Sequence, residues 1–236
     1  MVWEVLVFKM DMQMCKKSLL VLIVSMIIAG VASLFFLTPI FLGFFVIGAT
    51  SVVSAIFSVE SKSHMEFFYA CFPVRSREYI AGRCLTCFVV LLIPSVISII
   101  FTQIGMHFSL CQIEDIKEIV QMLNKYQNII ICSMIMLGFV SGANLILVSF
   151  TGKIEVREIM EVLLLLVETV IAGGIITVIQ KVCFHGNMQE LLEKLNNFYS
   201  NNKGITYIGM VGFGILFLWI AMALSVKIKN KKKLFY

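Results

Sequence analysis

Six apolar runs of span length alternate with polar stretches along this chain, at 18–37, 39–59, 84–105, 128–150, 159–180 and 205–228. A membrane-crossing helix needs roughly 20 such residues. The pattern therefore predicts an all-α membrane protein with six transmembrane helices. Thr38 and Pro39 mark the joint between the first two runs, which predicts a tight hairpin. Pro39 can open the second helix there, where its missing N–H removes no bond.

The polar stretches carry their own periodicity. At 100° per residue, Trp3, Leu6, Val7, Met10 and Met14 fall on one stripe, flanked by Glu4, Lys9, Asp11 and Lys16. This predicts an N-terminal interfacial helix ahead of the first span; the alternative is a simple extension of that span. Between the third and fourth runs, Ile113, Ile116, Ile119, Val120 and Leu123 make an apolar face. Before the last run, Leu191, Leu192, Leu195 and Phe198 make another. Both predict short outward-facing helices. No internal repeat stands out, and residues 1–236 read as one domain.

The segment 60–83 is the richest in mixed charge and aromatics. Ser63 to Glu66 fits a capping box, with the Ser63 side chain accepting from the helix and Glu66 reaching back. His64, Phe67, Phe68 and Cys71 then share one side. Pro73 ends that helix, because the residue before a proline avoids the α region. Ser76 is a natural N-cap for a second helix, with Glu78 in its first turn, where the helix dipole favours an acid. That second helix leads through Tyr79, Gly82 and Arg83 into the third span. The segment thus predicts helix, sharp break, helix. Such a layout suits docking on a soluble partner and passing movement to the span behind. It equally suits a solvated loop whose charges anchor to lipid headgroups.

Composition and charge sharpen this picture. The chain is 60% hydrophobic and only 14% charged, with a mean hydropathy of +0.98. A soluble domain carries about 25% charged residues, so a water-soluble fold is excluded. If both termini share a side, the opposite side holds Lys117, Lys125, Lys181, Lys194 and Lys203. The remaining 14 of 19 Lys and Arg then lie with the termini. Basic residues collect on the cytoplasmic side, which predicts cytoplasmic termini and a cytoplasmic 60–83 segment. The net charge of +5 thus speaks for membrane topology before nucleic acid.

The run Phe72, Pro73, Val74, Arg75, Arg77, Glu78, Tyr79, Gly82 and Arg83 resembles, position by position, the segment after the second span in ABC-2 type permease subunits of bacterial ATP-binding-cassette transporters. The interfacial helix, six spans, inward termini and outward helices resemble that family too, so the likeness extends over the whole chain. It implies a bacterial plasma-membrane protein and an exporter. It also implies that 60–83 contains a coupling helix contacted by a separate ABC ATPase subunit, and that a second permease subunit, identical or paralogous, completes the pathway. The residues it marks for ATPase coupling are Glu60, His64, Glu66, Phe67, Phe68, Phe72, Pro73, Arg75, Arg77 and Glu78.

No GxxxxGK[ST] phosphate loop occurs in the chain. ATP is therefore expected on the partner subunit, with no cofactor held here and no catalytic residue. Glu168 is the one acid deep in a span. A charge there costs roughly 2.5–3.5 kcal/mol on insertion scales. It is expected either as a substrate or proton contact on the pathway, with Asn144 a further pathway candidate, or in a buried hydrogen bond to Asn144 or Thr169. Gly138 and Gly142 form a GxxxG pair expected to pack helices within one subunit. Cys84 and Cys87 have CxxC spacing without a second pair, and read as small buried hydrophobes. Cys111 and Cys183 fall in outward loops, where a disulfide is open but weakly supported. His64, His107 and His185 lie in different segments, so a metal site is not expected. The apolar interior suggests a hydrophobic or amphipathic substrate. The alternative to transport is a membrane immunity or sensor protein that binds a peptide at its outer helices.

Overall fold

The computed structural model describes residues 2–36, 42–62, 76–108, 117–149 and 188–233, with isolated helical positions between 163 and 181. The described residues form helices and no strand. They are α1 (Val2–Phe36), α2 (Gly43–Lys62), α3 (Ser76–Phe108), α4 (Lys117–Ser149), α5 (Met188–Asn201) and α6 (Lys203–Lys233). Four of them, α1, α3, α4 and α6, are long and apolar enough to cross a membrane.

The direction of each helix follows from its neighbours. Gly82 of α3 lies against Glu4 and Val7 of α1, and Gly30 of α1 against Phe101 of α3. Hence α1 and α3 run parallel along their length. The Ser98 hydroxyl of α3 donates to the Leu42 carbonyl at the start of α2 (3.1 Å), so α2 begins beside the far half of α3. Gly43 and Val46 of α2 meet Met134 and Gly138 of α4, so α2 and α4 run parallel. Asn128 of α4 pairs with Tyr207 of α6, and Phe139 with Gly214, which aligns α6 with α4. Two helices therefore run one way and three the other. The start of α1 and the end of α6 lie at one end of the bundle, called here the terminal end.

The core follows the apolar faces. Val7, Cys15 and Leu19 of α1, Ile80, Cys87 and Leu91 of α3, and Ile131, Phe139 and Ile146 of α4 are all buried in one cluster. Lipid tails are as apolar as these side chains, so close packing rather than water exclusion must hold such a bundle together. The GxxxG pair serves that end inside the chain. A Cβ on Gly138 would meet Val46 at 2.9 Å, and one on Gly142 would meet Leu91 at 2.6 Å. Both approaches lie within one subunit, as the spacing suggested. Some buried hydroxyls turn back onto their own helices, as Thr102 does to the Ser98 carbonyl (2.7 Å). Ser95 does the same to Leu91 (2.7 Å), just past Pro94, whose ring removes one N–H from the α3 ladder.

Two predicted elements need correction. No separate N-terminal interfacial helix exists, because residues 2–36 form one unbroken helix. Nothing between Lys9 and Ser18 breaks a helix, as there is no Gly or Pro there. At 1.5 Å per residue, α1 is about 52 Å long, well beyond a hydrocarbon core of about 30 Å. The buried face also differs from the predicted stripe. Val7 and Asp11 are buried, whereas Leu6 is 42% exposed. The second correction concerns the stretch after the third span. From Lys117 onward the segment predicted to face outward is the first part of α4, continuous with the apolar run from 128. Asn124, Lys125, Gln127 and Asn128 look like a break but include no residue that stops a helix.

The Leu191–Phe198 stripe forms the helix α5, Met188–Asn201. Leu191 is buried, and Phe198 and Leu195 are exposed. Burial, with Cys132 of α4 second, raises the Tyr199 hydroxyl above its ordinary value. The Asn202 N–H closes on the Phe198 carbonyl (3.1 Å) and the Thr206 N–H on the Asn202 carbonyl (2.9 Å), so α5 turns straight into α6. The Pro39 hairpin, Cys111 and Cys183 lie outside the described residues. Cys15, Cys84, Cys87 and Cys132 are free and buried. The Cys84 thiol points at the Leu218 carbonyl of α6 (3.8 Å).

Candidate functional site

The marked segment 60–83 runs into the start of α3. The helix begins at Ser76, with Glu78 in its first turn. A hydroxyl residue at the boundary and an acid facing the free N–H groups are what a helix start favours. In that first turn Arg77 is exposed and Glu78 is partly exposed, while Tyr79 and Ile80 are buried. The helix thus turns one side into the bundle from its first residues.

One turn further on, α3 meets α1 at very short range. A Cβ on Gly82 would lie 2.8 Å from the Glu4 carbonyl oxygen and 2.8 Å from the Val7 Cβ. Only a glycine lets the two backbones come this close. Beside it sits a sealed polar group. The Arg83 Nε lies 3.2 Å from Asp11 Oδ2, with the two side chains 1% and 0% exposed. The Thr86 hydroxyl is 3.2 Å from the same Asp11 oxygen and 3.1 Å from the Gly82 carbonyl. The Arg83 guanidinium carbon stands 5.3 Å from the centre of the Tyr79 ring, within cation–π range. Asp11, Tyr79, Gly82, Arg83 and Thr86 therefore form one compact cluster that joins α1 to the first three turns of α3.

Glu60 is in the last turn of α2, described by its backbone. Arg77 and Glu78 open α3. His64, Glu66, Phe67, Phe68, Phe72, Pro73 and Arg75 lie outside the described residues, as does Glu168. Asn144 is partly buried in α4. Asp11 is the residue that sequence reasoning missed; it had been placed on the polar flank of the α1 stripe. A signal did exist, because Val7, Asp11, Cys15 and Leu19 recur every four residues, and all four are buried.

A second polar group sits at the opposite end of the bundle. The Gln103 side-chain amide of α3 donates to the Tyr207 hydroxyl of α6 (3.0 Å), which donates to Asn128 Oδ1 of α4 (3.2 Å). One phenol thus holds three helices. Interhelical hydrogen bonds in membranes average about 0.6 kcal/mol. Tyr207→Phe removes two and is expected to lower stability by about 1 kcal/mol, measured by denaturant titration in detergent micelles.

No group of three or more His, Cys, Asp or Glu residues able to hold a metal occurs among the described residues. No curated protein and no solved structure matches the chain. A family model described as "ABC-2 family transporter protein" does match, over residues 6–230. That is nearly the full length, and with its long apolar helices the chain belongs to the ABC-2 transporter family as a multi-pass membrane transport component.

Proposed function

We propose that the chain is the permease subunit of an ATP-driven ABC exporter in a bacterial plasma membrane. It works with a separate ABC ATPase subunit and a second permease subunit. In this reading the terminal end of the bundle is cytoplasmic, and the stretch 63–75 meets the ATPase. The substrate is hydrophobic or amphipathic, in keeping with the apolar interior of the described bundle. The observation that carries the reading is the continuity of α3. The stretch 63–75 leads into a single helix, Ser76–Phe108, about 50 Å long at 1.5 Å per residue. Movement delivered at its first residue therefore reaches the other end of the bundle.

Helix direction supports six spans. Because α4 and α6 run the same way, the chain has to return across the bundle between them. The apolar run 159–180 is the stretch long enough to do so. Its described positions, Leu163, Leu166, Val167, Val170 and Val178, are exposed apolar side chains suited to lipid.

The test is joint purification with a partner ABC ATPase subunit. The chain alone is expected to show no ATP hydrolysis, and the complex is expected to hydrolyse ATP. Phe68→Ala combined with Arg75→Ala is expected to weaken complex formation at least tenfold. An unchanged complex with unchanged ATPase activity would show that 63–75 is not the contact. Glu168→Gln separates the two roles open to that acid. Lost transport at unchanged protein yield assigns it to the pathway, and unchanged transport assigns it to helix packing.

A further inference from the structure

The ion pair between Asp11 and Arg83 calls for an explanation, because sealing two charges in a bundle is a poor way to stabilise it. A well-packed apolar pair of similar volume does as well or better. What a buried pair supplies is register. Apart from Asp11, the buried positions of α1 at four-residue spacing are apolar, at Val7, Cys15 and Leu19, so a slide of one turn, about 5.4 Å, would present a largely apolar surface to α3. Asp11 has no such freedom. Displaced by a turn, it and Arg83 would each be a buried charge parted from its partner.

We propose that the Asp11–Arg83 pair is the positioning device that makes α1 and α3 move as one body when the 63–75 stretch is pushed. The inference rests on reading that stretch as the ATPase contact. Arg83 stands seven residues into α3, about 10 Å along the helix from Ser76. The lock therefore sits directly behind the point where the stretch joins the bundle. It is fastened at two levels. Gly82 brings the backbones together at Glu4 and Val7. Thr86 holds the Asp11 carboxylate from the next turn while also touching the Gly82 carbonyl. Tyr79 covers the guanidinium. Both side chains are nearly without solvent contact, so water cannot replace either partner during a slide. The first helix of the chain, remote in sequence from the stretch, is thereby made part of the moving element.

The test uses the full chain in complex with its ABC ATPase, reconstituted in liposomes. Spin labels are introduced as non-natural amino acids at Gln13 of α1 and Leu85 of α3, both exposed. Their separation is measured without nucleotide and in the ATP–vanadate trapped state. In the otherwise unaltered chain the distance is expected to stay fixed. In Asp11→Leu/Arg83→Met, which replaces the pair by apolar side chains, it is expected to broaden or shift by several ångströms on trapping, with complex formation retained. Asp11→Asn, the sterically smaller change, is the second variant should that double change fail to fold. It keeps the shape and the Thr86 contact, loses the charge, and is expected to loosen the distance likewise. A distance that stays fixed in whichever of these variants folds would overturn the proposal, as would one that changes in the unaltered chain. The reading of 63–75 fails separately: Phe68→Ala/Arg75→Ala would then leave the complex intact, whatever the labels report.

Discussion

Gly82→Leu is expected to separate α1 from α3 and to lower stability by more than 3 kcal/mol. The first atom of any side chain at this position would sit 2.8 Å from the Glu4 carbonyl and 2.8 Å from the Val7 Cβ. Neither neighbour is the free tip of a flexible side chain. Relief therefore needs the α1 backbone to move, and α1 is one stiff helix of 35 residues. Overfilling a packed site costs typically 1–3 kcal/mol. Gly82→Ala belongs in that range, partly offset by about 1 kcal/mol of better helix propensity. Leucine adds three further carbons with nowhere to go, and the displacement also parts Asp11 from Arg83. Gly209 and Gly212 of α6 provide the control, since a Cβ at either meets nothing within 4 Å. Gly209→Ala is expected to be neutral or stabilising by up to about 1 kcal/mol. Thermal unfolding in detergent, followed by the fluorescence of Trp3 on α1 and Trp219 on α6, checks the series. Equal losses at Gly82 and Gly209 would show that the close approach does not matter.

Features of this fold that depend on local chemistry were legible in the sequence. The apolar runs are long because lipid demands it, and α3, α4 and α6 contain theirs at 84–105, 128–150 and 205–228 to within a residue or so. The start of α3 at Ser76 followed from a hydroxyl cap ahead of an acid. The helix α5 followed from four apolar residues at helical spacing. The joints were harder. A stripe before a span reads alike whether the two are one helix or two, and only the absence of a breaker distinguishes them. That absence was readable between Lys9 and Ser18, and again at Asn124–Asn128, but polar composition outweighed it. The Asp11–Arg83 cluster lies beyond local reasoning altogether. Its two charges are far apart in sequence, and each alone looks like a solvated flank. Only the parallel course of α1 and α3 brings them together.

Arg83→Ala is expected to cost about 3–5 kcal/mol, the usual penalty for breaking a buried pair by removing one partner. The loss is not the worth of the bond. It is the cost of leaving the Asp11 carboxylate, fully buried, without its counter-charge. That carboxylate would keep the Thr86 hydroxyl at 3.2 Å, a neutral donor that cannot cancel its charge. The truncation also empties the space of a side chain that is among the largest fully buried ones in the described bundle. Asp11→Ala strands the guanidinium in the same way, though the Tyr79 ring at 5.3 Å softens the exposure of that charge to an apolar setting. The two single losses should therefore not add. Asp11→Ala/Arg83→Ala removes both charges together, and its cost should fall below the sum of the singles by about 2 kcal/mol or more, within the range of coupling seen between contacting residues. The cycle is measured from denaturant or thermal unfolding of the four purified proteins in one detergent. Additive losses would mean that the two side chains do not depend on each other, and the ion pair would then have no energetic meaning in the folded bundle.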